Sequence, residues 1–194
     1  MIPHALPWIV RAICLLWRIR TGEPDLYIGG RDNPYLLRWH LLRKDSRPLN
    51  IYLHHMVRDD DDRALHDHPW WFVSVILAGG YVEVVPRWPD TWLILTRSIW
   101  FDTPPAQGSP YWRWQLQQLN EVERRPGAVL LRRALSIHRL VLRRPRHLGG
   151  ESWSLVITGR PRRRWGFYCE SGWRDAQEFA RITDTESVRS RGCD

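Results

Sequence analysis

Apolar and polar positions divide this chain into one helix followed by a long series of short extended runs. Leu6 to Ile19 is rich in Trp, Ile and Leu but is interrupted by Arg11 and Arg18. The stretch is shorter than the roughly 20 apolar residues that a membrane span requires. Arg18-Ile19-Arg20-Thr21-Gly22 offers no small-residue cleavage site. Residues 1–22 therefore predict an amphipathic helix packed on the rest of the fold, with a helix lying in a membrane interface as the alternative. Extended runs follow at Leu26–Ile28, Tyr35–Leu42, Asn50–Val57, Trp70–Leu77, Tyr81–Val85 and Trp92–Thr96. More follow at Ala128–Leu131, Ile137–Leu142, Trp153–Thr158 and Arg164–Cys169. Turn residues such as Gly29-Gly30, Arg47-Pro48 and Gly79-Gly80 separate them, as expected of strands.

Phe101 to Gly127 carries Pro104, Pro105, Gly108, Pro110 and Pro126 and reads as a loop or lid beside a barrel mouth. Tyr111-Trp112-Arg113-Trp114 alternates within it like one strand of a hairpin. A last helix is expected from about Arg174 to Ile182, with a mobile tail behind it. Short strands closing around a cavity, with helices only at the ends, predict an all-β, two-sheet jelly roll or barrel over residues 23–173. Residues 174–194 would supply the C-terminal helix and tail.

The length of 194 residues suits one domain, and a hydrophobic share of 43% excludes global disorder. Thirteen tryptophans are more than one small core absorbs, so some must line a cavity or an interface. The net charge of +8 is unevenly placed: Arg124 to Arg164 holds twelve arginines and one acid, Glu151. Lys44 is the sole lysine. Arginine forks suit phosphates, carboxylates and nucleic-acid backbones, and a solvated basic face is the plainer reading. Cys14, Cys169 and Cys193 form no C-x-x-C pair, which suggests a reducing, cytoplasmic setting. Asp59 to Asp62 lacks the alternating spacing of a calcium loop and reads as a solvated turn.

The chemistry concentrates at His66-Asp67-His68. Two imidazoles spaced i, i+2 on a strand share a face, with Cα atoms about 6.6 Å apart. Rings so placed can converge on one cation about 2.0–2.1 Å from each nitrogen. Asp67 then points to the other face. The plain alternative is two histidines in a turn between strands.

His66-x-His68, the Gly79-Gly80 turn and the distant His138 together resemble the cupin superfamily. Asp62-Arg63-Ala64-Leu65-His66-Asp67-His68-Pro69-Trp70, with Gly79-Gly80-Tyr81-x-Glu83 behind it, is similar to a group of small uncharacterised bacterial and phage cupins. So are Trp153-Ser154-Leu155-Val156-Ile157-Thr158-Gly159 and Trp165-Gly166-Phe167. The resemblance spans roughly Tyr35 to Trp173 and implies a double-stranded β-helix with a metal inside it. It carries two metal ligands onto His66 and His68 and a third onto His138. The family's glutamate, four residues after the second histidine, falls on Phe72, and the Pro-x-Gly-x-x-His motif is unmatched. A three-histidine site is therefore expected, similar in ligand type to the cysteine dioxygenase branch.

Other side chains can complete such a site. Only one of His54 and His55 can face inward, and the resemblance favours His54 as a ligand or a substrate-facing residue. Glu83 is a catalytic candidate, either orienting a ligand histidine or acting as a base; a strand-edge charge facing water is its plain reading. Arg38 and Arg139 are candidates for an anionic substrate group, or else outward solvated arginines. His4, His40 and His147 have no ligand-like spacing.

Three neutral imidazoles suit Fe(II) with open positions or Zn(II) with one water, and also accept Mn(II), Ni(II) or Co(II). The expected function is a mononuclear metal enzyme, dioxygenase-like, acting on a small molecule in the barrel. Two alternatives stand beside it: a ligand-binding cupin without turnover, and a basic nucleic-acid-associated protein in which Trp153 and Trp165 stack on bases. Exposed tryptophans and the apolar N-terminal helix suggest a homodimer.

Overall fold

The computed structural model describes residues 6–42, 48–59, 64–86, 119–142, 150–169 and 172–176. One helix, α1 (Leu6–Arg20), precedes twelve strands. The first six are β1 (Leu26–Ile28), β2 (Leu36–Leu42), β3 (Asn50–Met56), β4 (Leu65–His66), β5 (Phe72–Ala78) and β6 (Tyr81–Pro86). The second six are β7 (Leu119–Arg124), β8 (Val129–Arg132), β9 (Arg139–Val141), β10 (Ser152–Thr158), β11 (Gly166–Cys169) and β12 (Gly172–Asp175).

One sheet runs β1-β2-β3-β10-β5-β8. The opposing layer consists of β12-β11-β4 and β7-β6-β9, joined by an antiparallel bridge between His66 and His138. The eight strands β3 to β10 therefore form two antiparallel four-stranded layers, 3-10-5-8 and 4-9-6-7. That is a double-stranded β-helix, or jelly roll, which confirms the expected all-β class.

Strand alternation sets which residues meet. On β3, Tyr52 and Met56 pack into inner clusters with Phe72 and Val156, and with Ile76, Tyr81, Leu130 and Leu142. Leu53 lies on the other face, where it joins Leu37, Trp39, Val57, Trp153 and two residues of α1, Leu15 and Ile19. Trp39 is 0% exposed, and its indole N–H donates to the Glu23 carbonyl at 2.9 Å. The helix thus covers the outer face of the first sheet with one side, while Ile13, Leu16 and Trp17 on its other side stay exposed. Among the described residues no helix is long and apolar enough to cross a membrane.

The turn at Gly79-Gly80 is where the backbone needs glycine. Their φ angles are 71° and 134°, and a Cβ on Gly79 would lie 1.8 Å from the Glu151 carbonyl oxygen.

Several expectations need correction. Arg174 and Asp175 do not open a helix: they pair with Phe167 and Gly166 across β11–β12, and Arg164 Nε holds the Asp175 carboxylate at 2.7 Å. The helix expected beyond them lies outside the described residues. Residues 119–124, read as loop, form β7 because each finds a partner on β6. The rest of that loop, its Tyr111–Trp114 hairpin and the Trp92–Thr96 strand also lie outside the described residues. The strand carrying His66 stops there, and His68 lies beyond it. Cys169, read as a thiol, is disulfide-bonded.

Candidate metal centre

Three backbone contacts bring the histidines together. His66 and His138 exchange both backbone hydrogen bonds, at 2.8 and 3.0 Å, across the bridge that joins the two parts of the second layer. His68, just past β4, donates its N–H to the Ala134 carbonyl at 2.9 Å. Asp67 fixes the segment from behind, as its intervening position predicts. It is 0% exposed; its oxygens accept the Gly166 N–H at 2.9 Å and the Tyr168 hydroxyl at 3.0 Å, and it pairs with Arg163 at 2.8 Å.

The ring centroids of His66, His68 and His138 are consequently 5.0–5.1 Å apart in every pairing. One ligand nitrogen from each lies within 4.8 Å of the others, a group that could hold a metal ion. His68 Nε2 and His138 Nε2 are 2.8 Å apart. Two nitrogens bound at about 2.1 Å to one ion, at angles of about 90–109°, stand about 3.0–3.4 Å apart. The donor set therefore fits a divalent ion after small ring movements.

Burial keeps the donors in the state that an ion needs. It pushes His66 down to about 3, helped by the neighbouring His138. His68 is held well below the usual histidine range by burial and by the charges of His138, His66, Arg38 and Arg163. Both imidazoles are therefore neutral near pH 7, with a lone pair to offer.

Glu83 sits directly behind His138. Its carboxylate is 0% exposed and accepts the His138 Nδ1 proton at 2.8 Å, which leaves His138 Nε2 as the ligand atom. Arg124 Nε donates to the same carboxylate at 2.8 Å and Arg132 Nε at 3.0 Å. Burial opposes ionisation of Glu83, but the hydrogen bonds from His138 and Arg132 outweigh it and hold the carboxyl well below its usual range. Both oxygens are engaged by these donors.

The other candidates fall into place by strand parity. His54 shares the inner face with Tyr52, and the two rings stack at 5.8 Å. His55 is on the outer face, stacked on Trp153 at 3.9 Å and bonded to Glu151. His54 does not join the three-histidine group; its Nε2 accepts from Arg38 Nε at 2.8 Å. Phe72, at the position of the family's glutamate, packs its ring 4.7 Å from that of His68 and 5.9 Å from that of His138. Arg38 lies on the inner face with His54. Arg139 pairs with Val84, whereas Leu140 pairs with Glu83, so Arg139 alternates to the face away from His138.

The arginine clamp on Glu83 was not apparent from the sequence. Arg124 and Arg132 belong to the basic stretch that reads as a solvated face, yet both point at one buried acid. Arg163 and Arg164 of the same stretch pair with Asp67 and Asp175. The missing signal is the fold itself, since Glu83 lies 41 residues from Arg124 and 49 from Arg132, and Asp67 is more distant still from Arg163; Arg164 and Asp175 alone are near in sequence.

No family model matches the sequence, and no curated protein matches it either. Among solved structures, the chain is similar to Fe(II) HppE, with 16% identity and a TM-score of 0.41 over 69% of this chain and 54% of that one. It is similar to hydroxypropylphosphonic acid epoxidase from S. wedmorenis, at 14% identity and a TM-score of 0.40 over 70% and 56%. It also resembles a conserved protein with a double-stranded β-helix domain from Klebsiella pneumoniae, at 10% identity and a TM-score of 0.41 over 73% and 90%. The chain spans little more than half the length of the HppE chains. Likenesses this distant carry no argument about activity.

Proposed function

We propose that this protein is a mononuclear metal enzyme of the cupin type, in which His66, His68 and His138 hold a divalent transition ion inside the barrel. The observation that carries the reading is the convergence of three imidazoles from two chain segments, one of them oriented by a buried carboxylate. Fe(II) is the ion of choice and dioxygenase-like oxidation of a small molecule the reaction class, with Zn(II), Mn(II) and Ni(II) as alternatives. A bound ion would supply a Lewis acid with open coordination positions. The chain's own residues do the rest. Glu83 fixes the tautomer of His138 and acts as a positioning residue, because its oxygens are already taken by His138, Arg124 and Arg132. Asp67 anchors the His66–His68 segment, and Phe72 packs its ring against His68.

Metal analysis of protein purified without added metal tests this directly. Roughly one equivalent of a transition metal is expected, lost in His66→Ala and His138→Ala. Less than about a tenth of an equivalent in the wild type, unresponsive to added Fe(II) or Zn(II), would overturn the proposal.

Phe72 favours a second reading, a barrel that binds a small ligand without turnover, since an apolar ring replaces the fourth ligand. Stabilisation by a small molecule that persists in excess chelator would favour it. The nucleic-acid reading loses support from the pairing of Arg124, Arg132, Arg163 and Arg164 with acids of the chain itself.

A further inference from the structure

We infer that Arg38 is the seat for a carboxylate group on the small molecule taken into this barrel. As a statement of substrate class it rests on the metal-centre reading, although the seat itself does not need the ion.

Arg38 lies on β2 opposite His54 of β3, on the inner face of the first sheet. Its guanidinium is fixed on two sides. Nε donates to His54 Nε2 at 2.8 Å, and the guanidinium carbon stacks 4.8 Å from the Tyr52 ring centre. Tyr52 packs in one cluster with Phe72, whose ring touches that of His68. A continuous path of contacts thus links the guanidinium to the metal centre, and its charge is felt at His68.

Among the described residues, the acids that pair with Arg124, Arg132 and Arg163 have no counterpart at Arg38. Arg124 and Arg132 share Glu83, and Arg163 has Asp67. Among the described residues Arg38 reaches no carboxylate, and its two terminal amino groups make no hydrogen bond. The phenols of Tyr52 and Tyr35 lie near it, and burial lowers its own pKa. A desolvated charge without a counter-ion is costly. Holding it rigid, with two parallel N–H groups left over, is the arrangement that suits a forked anion.

The class of anion follows from the charge count. His54, held well below the usual histidine range by burial and by Arg38, is neutral. A single positive charge among neutral groups matches a monoanionic carboxylate. In the metal-free chain a phosphate dianion would leave one negative charge uncompensated.

The test uses the full chain stripped of metal, so that a carboxylate cannot bind through the ion. Thermal shift and calorimetry with acetate, benzoate and succinate should show binding, while benzamide and inorganic phosphate should not. Arg38→Met should weaken carboxylate binding by at least about tenfold, the loss expected for charge-assisted hydrogen bonds. Zn(II) affinity measured on the same variant should not fall below that of wild type, because Arg38 touches no proposed ligand atom. Where Arg38→Met does not fold, Arg38→Lys decides: it keeps the charge, loses the fork, and should bind carboxylates severalfold more weakly. Equal carboxylate binding by wild type and either variant, no carboxylate binding at all, or a preference for phosphate would each overturn the inference. A chain that binds carboxylates through Arg38 but takes up no metal would instead overturn the metal-centre proposal alone.

Discussion

Replacing Glu83 by glutamine tests the logic of the site in one step, because it removes a charge and leaves the shape. In the wild type the carboxylate is 0% exposed and neutralises two arginines whose side chains are only 22% and 21% exposed. It also receives the His138 Nδ1 proton. Breaking a buried ion pair by removing one partner costs about 3–5 kcal/mol, and the partial exposure of both arginines argues for the low end, about 3 kcal/mol. For a chain of this size that lowers the melting temperature by about 6–12 °C. A second consequence follows at the metal: without the anion, His138 loses the partner that fixes its tautomer and raises its basicity, which lowers metal affinity by about 10–100-fold. The pH dependence gives a third reading. Because the folded-state pKa of Glu83 is depressed, its contribution is complete above the unfolded value near 4.5 and is lost as pH falls below it. Wild type should therefore lose stability on acidification below about pH 4.5 more steeply than Glu83→Gln does. Circular-dichroism melts across pH and Zn(II) competition titrations provide all three numbers. Unchanged metal affinity in a variant that melts well below wild type would show that Glu83 holds strands together without orienting His138.

Asp67→Asn should lower the melting temperature by a similar amount, since it strands the buried Arg163 guanidinium, and should weaken metal binding by loosening His66 and His68; a variant that melts like wild type would refute the anchoring role. His66, neutral in the fold with a pKa of about 3 against 6.5 unfolded, makes metal-free protein lose stability as pH falls below 6.5, by up to about 1.4 kcal/mol per pH unit. His66→Gln should flatten that slope, and an unchanged slope in urea melts between pH 6.5 and 4 would count against the burial argument. Phe72→Glu should destabilise the metal-free chain by burying a carboxylate beside His68, and Mn(II) or Fe(II) should restore the melting temperature; no response to either ion would place Phe72 outside the coordination sphere. Gly79→Ala should fail to accumulate as folded protein, because its Cβ would meet the Glu151 carbonyl oxygen at 1.8 Å.

The sequence made visible what depends on local spacing. Strand alternation in β3, β5, β6 and β10 was readable because one face of each meets the barrel interior, and the i, i+2 spacing of His66 and His68 marked a shared face. Long-range pairing was not readable. Leu119–Arg124 forms a strand only because β6 offers it an edge, and its neighbours Pro126 and Gly127 argued for loop. Gly172–Asp175 is held in extended form by β11, against the helical leaning of the residues after it. The arginine-rich stretch looked like a surface because charge counted along the chain says nothing about acids that arrive from other strands.

Those buried acids explain the division of labour between the two layers. Glu83 pairs with Arg124 and Arg132, and Asp67 with Arg163, so each of these three arginines around the histidines has a buried carboxylate partner. On β2 the arrangement is the opposite: Arg38 stands on Tyr52 and His54 with no carboxylate partner among the described residues. A cation site beside an unneutralised guanidinium is unfavourable unless something negative lies between them. An anion spanning that gap would compensate both charges at once, so occupancy at one position should strengthen binding at the other. The reciprocity is measurable: carboxylate affinity should rise on loading with Zn(II), and Zn(II) affinity should rise by the same factor on saturation with the carboxylate. Arg38→Met should bind Zn(II) no more weakly than wild type and abolish that coupling.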